Sequence, residues 1–324
     1  MILLRPLDLA RIRLLHALGP VSRVLVANRE KRVAVGASLA VVAAFALAAI
    51  APLWALALGP LIFGVPHVVA DVRYLVIRTG LARDRWVLAA IGAPLLVAAF
   101  GGGLRAGTIA VAAALLAVRG SQRRAVLGLV LLAPVAFVAW QSPAQADAAF
   151  AHLHNLVAVI VWWAFRRPGE RAGWRWAAIV AIAFAVLLIL TGTLPANLSS
   201  EPAGFDGESI GWTLALGFGA PWGERMLVLY VFGQSIHYAV WLRFVPDEDR
   251  ARATPRSFSA SWAALGEDLG PTVIAAFVVA LVFVGWGLFD VRAARDSYLR
   301  GAAFHGHLEL VALAYALARG RLRA

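Results

Sequence analysis

The chain has no cysteine, two methionines, a single lysine at Lys31, and only 15% charged residues in a length of 324. Without thiols there can be no disulfides, iron–sulfur clusters or thiolate ligands. A globular domain is about a quarter charged. So small a share, against 61% hydrophobic residues and a mean hydropathy of +0.78, excludes an ordinary water-soluble fold. No polar stretch is long enough for a separate soluble domain. Phosphate-binding GxxxxGK[ST], dinucleotide-binding GxGxxG and zinc-binding HExxH patterns are all missing. The preference for arginine over lysine, with heavy alanine use, points to a GC-rich bacterial genome.

Long apolar runs are abundant. Ten can be drawn, at 33–54, 59–77, 86–103, 106–118, 125–141, 147–165, 175–194, 224–243, 270–289 and 299–318. Most approach the ~20 residues that span hydrocarbon, 106–118 being the short one. The pattern predicts an all-α, polytopic membrane bundle of about ten helices. Residues 1–32 would be a cytoplasmic leader and 33–324 one transmembrane domain. In that topology, 24 of the 30 basic residues fall on the side of both termini and 5 on the other, with Arg73 inside the second run. Such asymmetry is the positive-inside signal and predicts cytoplasmic termini in a bacterial cytoplasmic membrane. The net charge of +12 then reports topology and attraction to anionic lipid, and no nucleic-acid partner is expected.

Two segments stand outside the runs. Leu4, Leu7, Leu14, Leu15 and Leu18 can share one helical face, which predicts an interfacial helix ending at Gly19-Pro20; a plain leader is the alternative. Residues 195–223 carry Glu201, Asp206 and Glu208, no basic residue, and an apolar piece at 210–218 too short to span. They are read as an outside loop, either re-entrant or simply exposed. The glycines at 101–103 are read as a tight turn.

Six histidines fall within or at the edge of apolar runs: His67, His152, His154, His237, His305 and His307. Ionisable groups in hydrocarbon cost several kcal/mol, so they face a bundle interior and mark function. Neutral imidazole is also the commonest protein metal ligand. His67 and Asp71 are four apart and share a face, beside the kink expected at Pro66. His152 pairs by spacing with Asn155, His237 with Gln234, and His305 with Glu309. Residues two apart point about 200° apart on a helix, so one member of each HxH pair faces inwards. His152 and His305 are the expected members, with His154 and His307 in reserve. Trp241 and Arg243 sit where interfacial anchors belong. By helical rise, His67, His152 and His305 lie roughly 8–12 Å below the outer boundary, and His237 at about 20 Å. The expected site therefore has His67, His152, His237 and His305 as metal ligands. Asp71, Glu309, Gln234 and Asn155 are expected to orient these rings or relay protons, Asp71 and Glu309 as the catalytic carboxylates and Gln234 and Asn155 as cofactor-binding residues. Phe63, Phe150, Tyr238 and Phe304 are candidates to line an apolar slot.

The segment Gly64-Val-Pro66-His67-Val-Val-Ala-Asp71 resembles the GxPHGxxD segment of the Brp/Blh-type membrane carotenoid-cleavage dioxygenases, with Val68 where that family has glycine. The resemblance covers this motif and the general architecture. It implies a polytopic membrane enzyme with a four-histidine non-haem iron centre that splits β-carotene at its central double bond to give retinal. The expected cofactor is a metal ion, iron(II) first and haem less favoured. The expected partners are membrane lipids and a carotenoid, isoprenoid or acyl chain, with the oligomeric state left open. Three rivals remain: a haem protein with two opposed axial histidines, a proton-coupled transporter using Asp71, Glu309 and the histidines as a relay, and a non-catalytic assembly protein. A membrane protease would need an EExxxR motif, which is absent.

Overall fold

The computed structural model describes residues 4–165, 173–250 and 254–320, all-α and without a strand among them. Five helical stretches are long and apolar enough to cross a membrane: Arg29–Ile50, Pro52–Ile77, Arg85–Ala117, Gln122–Gln141 and Gly173–Leu190. A sixth would be the bent pair Phe258–Leu269 and Thr272–Gly287, which turn by 114°. This is fewer than the ten runs drawn from sequence, and the differences have physical causes. Runs 86–103 and 106–118 belong to one stretch, broken where Phe100 and Gly101 leave helical geometry (φ −96° and 97°). That break, followed by Gly103 at φ 54°, is the expected glycine turn. The segments at 147–165 and 224–243 are helical but carry histidines and polar neighbours, which lower their hydropathy, and 299–318 is divided between two shorter helices.

Two short helices, α1 (Arg5–Ala17) and α2 (Gly19–Ala27), come before the first long apolar helix. α1 buries no residue. Its Asp8 accepts hydrogen bonds from the Phe258 and Ser259 backbone at 2.6 and 3.2 Å, fastening it to α13 (Phe258–Leu269). Asn28 caps α3 (Arg29–Ile50) by accepting from the Lys31 amide.

The interior is built by α4 (Pro52–Asp71), α8 (Pro143–Ala164), α11 (Trp222–Ala239) and α16 (Phe304–Arg319). Pro60 and Pro66 lie within α4, which continues as a π-helical turn through Ile77. α5 (Arg85–Val97), α6 (Gly103–Ala117), α7 (Gln122–Gln141), α9 (Gly173–Leu190) and α14 (Thr272–Gly287) surround this centre. The last run, read as one span at 299–318, is divided between α15 (Val291–Ala302) and α16. In the 195–223 loop, α10 (Gly207–Leu214) packs against α8 and α11. A short helix, α12 (Val245–Glu248), follows α11 and carries Asp247 into a cluster of arginines.

Candidate metal centre

Three histidines from three helices meet at one point. Each of His67 on α4, His237 on α11 and His305 on α16 offers a ring nitrogen, and these atoms lie within 4.8 Å of one another. The ring centroids are 5.3 Å apart for His67–His237, 4.8 Å for His67–His305 and 6.3 Å for His237–His305. A fourth imidazole adjoins them: His154 of α8, 4.8 Å from His237 and 5.4 Å from His305 by centroid.

His152, the expected member of its pair, is elsewhere. Its Nε2–H donates to the Leu214 carbonyl at 2.9 Å and its ring meets Tyr230 edge-on. It holds α10 against α8, and the inward face of α8 is the one carrying His154. The second pair keeps its expected member: His305 faces the cluster, while His307 stacks on Phe150 at 4.8 Å. Gly107 of α6 permits that position, because a Cβ there would come within 2.3 Å of His307 Nδ1.

The groups that orient the rings also differ from expectation. His67 Nδ1 is 3.2 Å from the Phe63 carbonyl, His154 Nδ1 is 3.0 Å from that of Ala151, and His305 Nδ1 is 2.5 Å from that of Ala302. A carbonyl can only accept, so in each ring Nδ1 carries the hydrogen and neutral Nε2 keeps its lone pair. This is the usual way a ligating imidazole is held. Here the helix's own preceding turn supplies it. At His67, Pro66 has no N–H to donate to the Ile62 carbonyl, which loosens that turn.

Glu309 is 0% exposed and does not serve His305 of its own helix. It approaches His237 of α11, with Oε1 3.7 Å from Nε2, and accepts the Trp241 indole N–H at 2.9 Å. Trp241 is therefore a buried partner and not an interfacial anchor. Asp71, also 0% exposed, makes no hydrogen bond to His67, and neither of its oxygens has a hydrogen-bond partner among the described residues. Gln234 donates to the Tyr230 hydroxyl at 3.5 Å and Asn155 to the Ala151 carbonyl at 3.3 Å, so neither orients the ring assigned to it. Tyr298 escaped sequence reasoning. The signal was Gly64, where a Cβ would come within 2.3 Å of its ring.

Whether this set fits a metal ion can be judged from its buried nitrogens. His67 Nε2 and both ring nitrogens of His237 are buried with no hydrogen-bond partner among the described residues. Such groups cost about 1–3 kcal/mol each when left unpaired, and coordination satisfies them. The donor set of imidazoles, with the Glu309 carboxylate beside His237, suits Fe, Zn, Cu or Ni. An apolar cleft of about 920 Å³ reaches it, bordered by His154, His305, Phe150, Phe304 and Tyr230. A second groove of about 530 Å³ borders Phe63 and Tyr238. Tyr238 packs on His67 at 4.9 Å, so the cluster has apolar space nearby on more than one side. Comparison of the chain with protein-family models, curated proteins and solved structures gives no match.

Proposed function

We propose that the chain is a multi-pass membrane enzyme whose His67, His154, His237 and His305 hold one metal ion, iron(II) first, for oxygenation of a lipidic substrate. The observation that carries this reading is the convergence of four imidazoles from four separate helices, His67 and His237 buried and His154 and His305 half-buried, at the wall of an apolar cleft. The cleft falls in the size range of small-molecule sites, about 300–1,000 Å³, and suits a carotenoid, isoprenoid or acyl chain. The GVPHVVAD segment, with its likeness to the carotenoid-cleaving dioxygenases, supports the same class and the same orientation in a bacterial cytoplasmic membrane with both termini inside.

When bound, the ion supplies oxygen activation. The chain's own groups do the rest. Phe150, Phe304 and Tyr230 wall the hydrocarbon and keep water from it. The three backbone carbonyls hold three of the rings with Nε2 presented. Asp71 and Glu309 offer two negative charges to balance a divalent ion, which neutral imidazoles cannot do. A haem is less well supported, since His67 and His154 crowd the point where His237 and His305 meet.

Elemental analysis of purified protein together with its ultraviolet–visible spectrum tests the reading. About one non-haem metal per chain, lost in the His154→Ala variant and kept in His152→Ala, is the expected result. A Soret band, or no retained metal in protein of native elution profile, overturns it.

A further inference from the structure

Away from the histidines, a cleft of about 290 Å³ opens between α4, α11–α12, α13 and α14. Its two halves differ in chemistry. The inner half is apolar, walled by Val69, Leu242, Ala276, Phe277 and Ala280. It opens onto α14, which buries only Val273 and therefore presents its length to hydrocarbon. The other half is cationic, bordered by Arg73, Arg250 and Arg256, with the Trp262 indole beside them.

The carboxylates at this end do not neutralise the arginines. Asp268 is shared by Arg73 at 2.7 Å and Arg78 at 2.8 Å. Arg78 also reaches Asp249 at 3.8 Å. Asp247 is shared by Arg32, Arg243 and Arg250 at 3.0, 3.6 and 3.2 Å. Arg256 has no carboxylate partner among the described residues and is only partly exposed. Cations in excess at one end of a cleft and exposed apolar walls at the other complement an anionic headgroup with an acyl chain. Basic pockets between membrane helices take acidic lipid headgroups in this way.

We infer that this cleft binds one acidic phospholipid from the surrounding leaflet. Its phosphate sits at Arg256, with Arg73 and Arg250 alongside, and its acyl chain lies along Ala276 and Ala280 of α14. Binding at this position ties the bent α13–α14 pair to α4 and so steadies the helix that carries His67, without itself requiring a metal.

The test uses the full-length protein in detergent, supplied with phosphatidylglycerol, with phosphatidylcholine, or with inorganic phosphate alone. Native mass spectrometry counts the lipid retained, and thermal unfolding reads its effect. About one phosphatidylglycerol per chain should survive detergent exchange and raise the melting temperature, with phosphatidylcholine retained several-fold less. Arg256→Gln should remove most of that preference. Ala280→Phe, which fills the apolar half and leaves the charges alone, should lower retention of the lipid. Equal retention of the two lipids, or an unchanged preference in Arg256→Gln of native elution profile, overturns the inference. Inorganic phosphate stabilising as well as phosphatidylglycerol would overturn it too, since the site would then hold a free anion.

Discussion

α14 and α16 are each sixteen residues long, yet they behave in opposite ways. α14, Thr272–Gly287, is almost wholly apolar and buries one residue, Val273. α16, Phe304–Arg319, carries His305, His307 and Glu309 and buries ten residues, the last two among them. In water the more apolar helix would be the core. In hydrocarbon the apolar face costs nothing to expose, and the polar groups must find partners inside. The difference between these two helices therefore follows polarity, and the buried polar residues of α4, α8, α11 and α16 mark the centre.

The comparison is broken most severely by removing the imidazoles. Alanine at His67, His154, His237 or His305 should lower bound metal more than about a hundredfold, beyond the 10–100-fold typical of outer-sphere partners. His152→Ala and His16→Ala should leave metal content within about twofold, because neither ring is at the cluster. Elemental analysis of each purified variant reads this, and a large loss in His152→Ala would reassign the face of α8. Second in size are the carboxylates. Asp71→Asn and Glu309→Gln should each weaken metal affinity by about 10–100-fold, read by competition with a chelator. Unchanged affinity in both would remove their role in balancing charge.

A pair of glycines sharpens the contrast between centre and periphery. Gly64→Ala places a Cβ within 2.3 Å of the Tyr298 ring and should cost about 1–3 kcal/mol of stability through overpacking. Gly285→Ala on α14 meets nothing within 4 Å and should be neutral or stabilising by up to about 1 kcal/mol. Thermal unfolding in one detergent compares the two, and equal costs would mean that the Gly285 face of α14 is packed against something.

The smallest effect concerns Asp247, outside the spans. Burial alone would raise its carboxyl, but the hydrogen bond from Arg32 and the charges of Arg243, Arg32 and Arg250 hold it below the ordinary 3.8. A lowered folded value means its contribution is present above pH 3.8 and disappears as the pH falls through the folded value. Stability measured between pH 5 and pH 3 should therefore fall less in Asp247→Asn than in the parent. An identical acid dependence would show that this cluster does not matter to the folded state.

Much of the centre was legible in residue types. His67, His237 and His305 declared themselves by being ionisable in apolar runs, and no packing detail was needed. The choice between His152 and His154 was not legible. Both positions are equally available on an isolated helix, and the face turned inward depends on where α11 and α16 lie. The orienting groups were misread for a related reason. Asp71, Glu309, Gln234 and Asn155 were matched to histidines of their own helices by spacing, whereas Glu309 finds His237 across the bundle and the rings lean on backbone carbonyls. Trp241 was read at the interface because a tryptophan near the end of a run cannot be told from a buried one by position alone.

Composition and periodicity by themselves determined that this chain is helical, that several helices are apolar enough for a membrane, and that histidines and carboxylates sit among them. Those properties are local: hydropathy and backbone hydrogen bonding are satisfied within each segment. Only the tertiary structure decided which imidazoles share a point, which carboxylate serves which ring, and which apolar helices stay on the outside. Those outcomes depend on the rotation of each helix about its axis and on close approaches such as Gly64 to Tyr298 and Gly107 to His307, which arise only when distant segments pack.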